Sequence, residues 1–428
     1  MLWPMKKALV VFGIAIGFRC LVSAPGLANP ERAYGLDTGG YLAIADNLLR
    51  GNGFSWDSKP PYRQNIVRTP LYPLVLSALY SPFCDERPSL LFQVILGGLL
   101  AVLVFFLGQR VSGDGFLPGL LAACDPFTAI FGAMLYTETL FAVFLTLGAL
   151  LLFQKKNVLA GLAMGLACLT RPTGIILTVG GIYPAWKRDW TGLCNFLWGF
   201  LALPLMWATR NYLVSGLFTL SSVSDVNLYV FIGPMTKAEA TNTSYQEAWK
   251  ASRQDLYQQY DTDPWRAAND PNFVREARAE GLREIVGNPA AFARIYLKGL
   301  ARGFGGLDFN LPSEVLAEPQ KTHGSLTEAI GALLHGDLRG FASGLGQRFS
   351  GTPPVALIYT LYSWLFLGLL YILAARGTKM KPEQITCLAL TAGLIAVAGP
   401  LASFRFRAPG QGLLEGMAVW GQRTGPGG

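Results

Sequence analysis

The chain has 428 residues, of which 51% are hydrophobic and only 14% charged, against roughly 25% charged in an ordinary soluble protein. A mean hydropathy of +0.35 and several apolar runs of about 18 residues or more exclude a soluble enzyme and define an all-α polytopic membrane protein. The net charge of +8 does not point to nucleic acid, because Lys and Arg fall mostly in short loops between apolar runs, where they set membrane orientation.

Lys6 and Lys7 precede an apolar run interrupted by Arg19, and Pro25 after Ser23-Ala24 spoils a cleavage site, so 5–24 reads as an uncleaved first membrane helix. A first polar loop follows over 25–87. Within it, 36–50 has the pattern of a short amphipathic helix, with Tyr41, Ile44, Ala45, Leu48 and Leu49 on one face and Gly51-Asn52-Gly53 at its end. Asp37 stands at its start, where Asp is among the best capping residues. Asp46 faces elsewhere. Residues 68–84 are apolar but carry Pro70, Pro73 and Pro82, which marks them as re-entrant or interfacial rather than spanning.

Further hydrophobic segments lie at 88–108, 115–135, 138–153, 157–170, 174–186, 191–209, 354–375 and 384–402, with a weaker one at 410–420, giving about nine or ten membrane helices. Asp125-Pro126 inside the third can restart a broken helix, Asp as N-cap and Pro at the first helical position. Glu138 sits where the chain re-enters the membrane, a costly place for a carboxylate unless it is paired or faces a wet cavity. A cytoplasmic N-terminus places Lys6, Lys7, Arg110, Lys155, Lys156, Lys187, Arg188, Arg376, Lys379 and Lys381 all inside. The chain then divides into a bundle over 1–209, a second outer segment over 210–352, and C-terminal helices with a short tail over 353–428. In the second segment 245–260 and 272–300 have helical patterning broken at Asn288-Pro289, and 289–300 could lie amphipathically on the membrane. The Gly-rich 299–306 and 331–346 read as flexible.

The six cysteines, Cys20, Cys84, Cys124, Cys168, Cys194 and Cys387, form no C-x-x-C pair and mostly fall in apolar segments, as small buried hydrophobes do. His323 and His335 lack metal-ligand spacing, so no His-based metal site is expected.

Arg68, Arg171, Arg210, Arg405 and Arg407 recur at the outer boundary, against the usual charge bias. Any one could snorkel to lipid headgroups. Several converging with outer carboxylates fit an anion site, since guanidinium binds phosphate bidentately.

Leu36-Asp37-x3-Tyr41-x3-Ala45-x-Asn47-Leu48-Leu49, Gly51-x-Gly53-Phe54 and Arg68-Thr69-Pro70-Leu71-Tyr72-Pro73 resemble the first outer loop of bacterial GT-C glycosyltransferases, the relatives of protein O-mannosyltransferases and of the lipid A aminoarabinose transferase. Thr137-Glu138-Thr139-Leu140-Phe141, Gly165-Leu166-Ala167-x2-Thr170-Arg171-Pro172-x-Gly174, Arg210-Asn211-Tyr212 and Arg405-Phe406-Arg407-x-Pro409 are similar to later landmarks of that family, in order. The resemblance covers about 30–215 and returns weakly at 395–412. It implies a GT-C-type bundle in a plasma membrane that transfers a sugar, with inversion, from a polyprenyl-phosphate donor to a lipid, glycan or protein acceptor on the outer face. By position Asp37 matches the general base and Glu138 a second acidic site that orients the acceptor or a divalent ion. The five arginines become donor-phosphate ligands, and Tyr41, Tyr72, Asp125, Tyr136 and Asn211 pocket residues. The metal-holding His of some relatives has no counterpart, and Gly410-Gln411-Gly412 replaces the usual apolar final helix. The competing expectation is a non-catalytic transporter or flippase of a lipid-linked sugar that uses the same arginines for the headgroup.

Overall fold

The computed structural model describes residues 2–80, 85–250, 260, 264–305, 310–316, 337, 339–340, 343 and 352–419. His323, His335, Cys84, most of 331–346, 251–259 and the tail from 420 lie outside the described residues, and with them the readings made there. Every regular element among the described residues is helical, and the chain has the architecture of an all-α, multi-pass membrane protein.

The N-terminal half contains α1 (Leu2–Ala28), α2 (Thr38–Leu49), α3 (Leu71–Tyr80), α4 (Arg87–Val111), α5 (Phe116–Cys124), α6 (Pro126–Gly132), α7 (Glu138–Phe153), α8 (Asn157–Thr170), α9 (Ile182–Trp186) and α10 (Trp190–Ser215). Between them and the C-terminal helices lie α11 (Val223–Asn227), α12 (Gly233–Thr241), α13 (Pro271–Gly287), α14 (Pro289–Gly305) and α15 (Asn310–Leu316). The chain closes with α16 (Pro354–Gly377), α17 (Pro382–Ala398), α18 (Phe404–Arg407) and α19 (Gln411–Glu415).

Among the described residues five helices are long and apolar enough by themselves to cross a membrane: α1, α4, α10, α16 and α17 with the turn that extends it. At 1.5 Å per residue the 25 residues of α4 exceed a hydrocarbon core of about 30 Å. The other expected spans are shorter or broken. α7 and α8 have 16 and 14 residues, and 172–186 is a 3-10 helix, Pro172–Gly181, followed by one α-turn. Asp125 interrupts 115–135 as anticipated: it ends α5 in an extended conformation and caps α6 by accepting the N–H groups of Phe127 and Thr128. The 68–84 stretch forms only the ten-residue α3 in its described part.

α8 and α10 pack backbone to backbone, as small residues permit in membranes. A Cβ on Gly161 would lie 2.2 Å from the Phe196 carbonyl oxygen, and one on Gly199 2.4 Å from that of Val158. Gly161→Ala is therefore expected to cost about 1–3 kcal/mol by overpacking, read as a lowered unfolding temperature in detergent. Gly13→Ala, with nothing within 4 Å of its new methyl, should leave that temperature unchanged.

The two ends of the bundle differ in chemistry. At the Phe153 end of α7, Arg110 donates to the Phe153 carbonyl and lies 3.9 Å from Glu383, which also accepts from the Tyr183 hydroxyl. The Glu138 end carries the candidate site. Between α10 and α16, α13 and α14 break at Asn288-Pro289 as the patterning predicts, and 245–250 is helical. α14 packs on the end of α17, where a Cβ on Gly299 would meet the Gly399 carbonyl at 2.1 Å. Residues 299–305 are helical, not an irregular flexible stretch. Cys168 and Cys387 are buried as expected, but Cys194 on α10 is exposed.

Candidate functional site

The loop before α2 and three later segments converge on one ionic cluster. Asp37 occupies the N-cap position of α2 but makes no capping hydrogen bond with its side chain. The Thr38 hydroxyl accepts the Gly35 N–H instead. That corrects the capping reading, because the arginines hold the carboxylate away from the helix. Asp37 Oδ1 lies 2.9 Å from Arg68 Nη1 and Oδ2 lies 2.8 Å from Arg405 Nη2. Burial alone would raise its pKa, but Arg68 and then Arg405 outweigh it and hold the carboxyl well below the usual carboxylate range.

Arg405 reaches further. Its Nε donates to Glu138 Oε1, which also takes Nη1 of Arg171, while Glu138 Oε2 accepts the Thr137 hydroxyl. Glu138, on the first turn of α7, is 2% exposed as a side chain, against 24% for both Asp37 and Arg405. The buried carboxylate is the anchor and the Asp37–Arg405 pair is the accessible arm. Three guanidinia face two carboxylates, so the cluster carries one surplus positive charge.

Each guanidinium also lies on an aromatic face: Arg405 4.3 Å from the Tyr136 ring centroid, Arg68 4.9 Å from Tyr41 and Arg171 5.6 Å from Phe406. Cation–π contact fixes these flat ions without neutralising them. The Tyr136 hydroxyl accepts the Leu36 N–H at 3.0 Å, which ties the Asp37 loop to the start of α7. Tyr72 packs edge-on against Tyr41 at 5.2 Å, and its hydroxyl accepts from Gln93. The Thr69 hydroxyl donates to the Thr170 carbonyl at 2.9 Å, which brings the Arg68 and Arg171 segments together.

Asp37, Glu138, Arg68, Arg171, Arg405, Tyr41, Tyr72 and Tyr136 thus meet in one place. Four other expected site residues do not. Arg407 is fully buried, donates to the Gly303 and Phe304 carbonyls at the end of α14 and stacks on Phe127. Its charge satisfies a helix C-terminus, where the dipole favours cations. Arg210 donates to the Asn65 carbonyl and to Gln64, between Phe54 and Trp207, so it braces the strand of chain that leads to Arg68. Asn211 accepts from Arg210 and donates to the Thr219 carbonyl. Asp125 is wholly buried and spends its oxygens on the N-terminus of α6. Most of the hydrogen bonds these four make go to backbone groups or to each other, with Gln64 and Gln411 as further side-chain partners. Arg407→Ala is accordingly expected to lower the unfolding temperature, measured by thermal unfolding in detergent.

Sequence reasoning missed Thr137, Gln93, Thr69 and Asn65. Gln93 donates to Tyr72 and to the Met134 and Tyr136 carbonyls, and Asn65 Oδ1 accepts the Val67 and Arg68 N–H groups. Only the oddity of a glutamine within an apolar helix could have flagged Gln93. Asp46 pairs with Arg50 one turn along α2, on the surface. On the same helix Leu49 is exposed instead of sharing the buried face.

Among the described residues no group of three or more His, Cys, Asp or Glu side chains could hold a metal ion. Asp37 and Glu138 face guanidinia, which are the wrong neighbours for a divalent cation. A cavity of about 550 Å³ lined by Phe304, Tyr371, Leu388, Thr391, Leu414 and Met417 among others holds none of the clustered charges.

The arrangement defines an anion-attracting ionic cluster at one end of a helical membrane bundle. Comparison with known proteins returns no relative: no family model matches the chain, and no curated protein does.

Proposed function

We propose that the chain is an inverting glycosyltransferase of GT-C type that takes a sugar from a polyprenyl-phosphate donor. The observation that carries this reading is the surplus-positive cluster of Asp37, Glu138, Arg68, Arg171 and Arg405, in which an accessible carboxylate adjoins unneutralised guanidinium charge. A dianionic phosphate adds charge as it leaves, and preorganised guanidinia favour that change. An acceptor hydroxyl needs a base within hydrogen-bond reach, and Asp37 is the more exposed of the two carboxylates. In the transfer, the acceptor oxygen forms its bond to the anomeric carbon as its proton passes to Asp37. The carbon–oxygen bond to phosphate breaks, and the electron pair leaves with the lipid phosphate.

The charge pattern supports placing this end outside a plasma membrane. A cytoplasmic N-terminus puts Lys6, Lys7, Arg110, Lys155, Lys156, Lys187, Arg188, Arg376, Lys379 and Lys381 on the inner side, so the acceptor, whether lipid, glycan or protein, meets the donor on the outer face. The test is transfer of radiolabelled sugar from lipid-linked donors, extracted from a strain lacking this chain, by purified protein in nanodiscs. Transferred label supports the enzyme. Movement of the lipid across vesicles with no transferred label would select the transporter.

A further inference from the structure

Resting on the glycosyltransferase reading, one feature of the cluster has a mechanistic consequence: both oxygens of the would-be base are occupied. Asp37 gives Oδ1 to Arg68 and Oδ2 to Arg405. A carboxylate so engaged is a weak proton acceptor, because a guanidinium on each oxygen stabilises its charged form. We infer that the donor's phosphate unmasks the base, by drawing Arg405 off Asp37 and taking its place as that guanidinium's partner.

Four observations single out Arg405 as the exchangeable arm. It spans two carboxylates, with Nη2 on Asp37 and Nε on Glu138, so it can leave one while the other retains it. Its side chain is 24% exposed, against 14% for Arg68 and 12% for Arg171. Its flat face rests on Tyr136, a surface on which a guanidinium can slide without losing contact. And the cluster's surplus charge favours entry of an anion. Beside the vacated carboxylate, Gly39 and Gly40 offer N–H groups with no partner among the described residues, at the uncapped start of the twelve-residue α2. They add favourable potential for a phosphate there. The groups facing Asp37 are then Arg68 before α3, Arg405 on α18, Tyr136 ahead of α7 and Tyr41 on α2, with Glu138 linked to it through Arg405. Of these only Arg405 can change partner while remaining ion-paired. The consequence is ordered use of substrates, donor before acceptor, with little base available while the donor site is empty.

The test follows the carboxyl itself, not sugar transfer. Protein in nanodiscs is labelled with a carbodiimide and an amine across a pH series, which modifies protonated carboxyls, and the Asp37 peptide is quantified by mass spectrometry. Polyprenyl phosphate is expected to move the Asp37 labelling midpoint upward by at least about one pH unit, because a cation at the carboxylate is replaced by an anion nearby. Polyprenol, which lacks the phosphate, should move nothing, and inorganic phosphate at saturation should reproduce the shift if the headgroup suffices. Arg405→Gln, which removes the cation from Asp37, should show the raised midpoint with no lipid present. An unchanged midpoint while radiolabelled polyprenyl phosphate is bound would overturn the exchange, as would an equal shift with polyprenol. A shift in a protein that transfers no sugar would leave the exchange standing and remove the enzyme reading. Sugar transfer without a shift would do the reverse.

Discussion

Under the proposed glycosyltransferase activity, Asp37→Asn is expected to lower sugar transfer by about 10²–10⁴-fold, the usual contribution of a positioned general base, while binding of the lipid donor persists. The substitution keeps the shape of the side chain and one acceptor oxygen for Arg68 or Arg405, but it cannot hold the acceptor's proton. It also raises the surplus positive charge of the cluster from one to two, because three guanidinia then face only Glu138. Donor affinity should therefore hold or increase, which separates loss of chemistry from loss of the site. Asp46→Asn is the matched control on the same helix, a half-exposed carboxylate paired with Arg50 at 2.9 Å, and should leave transfer unaltered. Parallel rate and binding measurements on the three proteins decide the matter. If Asp37→Asn transferred sugar at the wild-type rate, Asp37 would not be the base. The pH dependence of stability carries a further signature. With its folded pKa held down by burial-opposing arginines, Asp37 contributes fully above the unfolded value of about 3.9, and the contribution fades as pH falls below that toward the folded value. The Asn variant should thus lose part of the acid sensitivity of the wild type, seen in unfolding temperatures from neutral pH downward.

The cluster itself was legible in the sequence because its members are charges in places where charges are costly. Asp37, Arg68, Glu138, Arg171 and Arg405 each interrupt or border an apolar run, and such positions have few uses other than pairing or ligand binding. What the sequence could not show is which oxygen faces which guanidinium. Arg407 illustrates the limit: it lies two residues from Arg405 in Phe404-Arg405-Phe406-Arg407, yet on a one-turn helix that spacing turns the two side chains apart. One joins the cluster and the other caps α14. Asp125 shows the opposite case, where the local signal of Asp followed by Pro correctly predicted a restarted helix but gave no information on what else the carboxylate could reach. The form of the shorter apolar segments was not legible for a related reason. Apolar composition reports burial in lipid or protein alike, and 138–153, 157–170 and 172–186 are as apolar as true spans while being short or wound as 3-10 turns against their neighbours.

Glu138→Ala is expected to be the most destabilising single change in the site. The carboxylate is 2% exposed and serves two guanidinia and a hydroxyl at once, so its removal strands buried charge, at a cost of about 3–5 kcal/mol. Arg171 suffers most. Its remaining polar partner is the Thr137 hydroxyl at 3.0 Å, whereas Arg405 still has Asp37. The double variant Glu138→Ala with Arg171→Ala should therefore be more stable than the single one, because it deletes the charge that the first substitution left unpaired. Thermal unfolding of the four proteins of this cycle in detergent measures the coupling directly. Recovery in the double variant would identify Glu138 as the partner that holds the Arg171 charge. Additive losses would mean that Glu138 acts independently of Arg171. Transfer rates separate anchoring from catalysis: an anchor acts through Arg405, so Glu138→Gln, which keeps one acceptor oxygen and loses the charge, should retain more activity than Glu138→Ala. A general base at Glu138 would lose both equally.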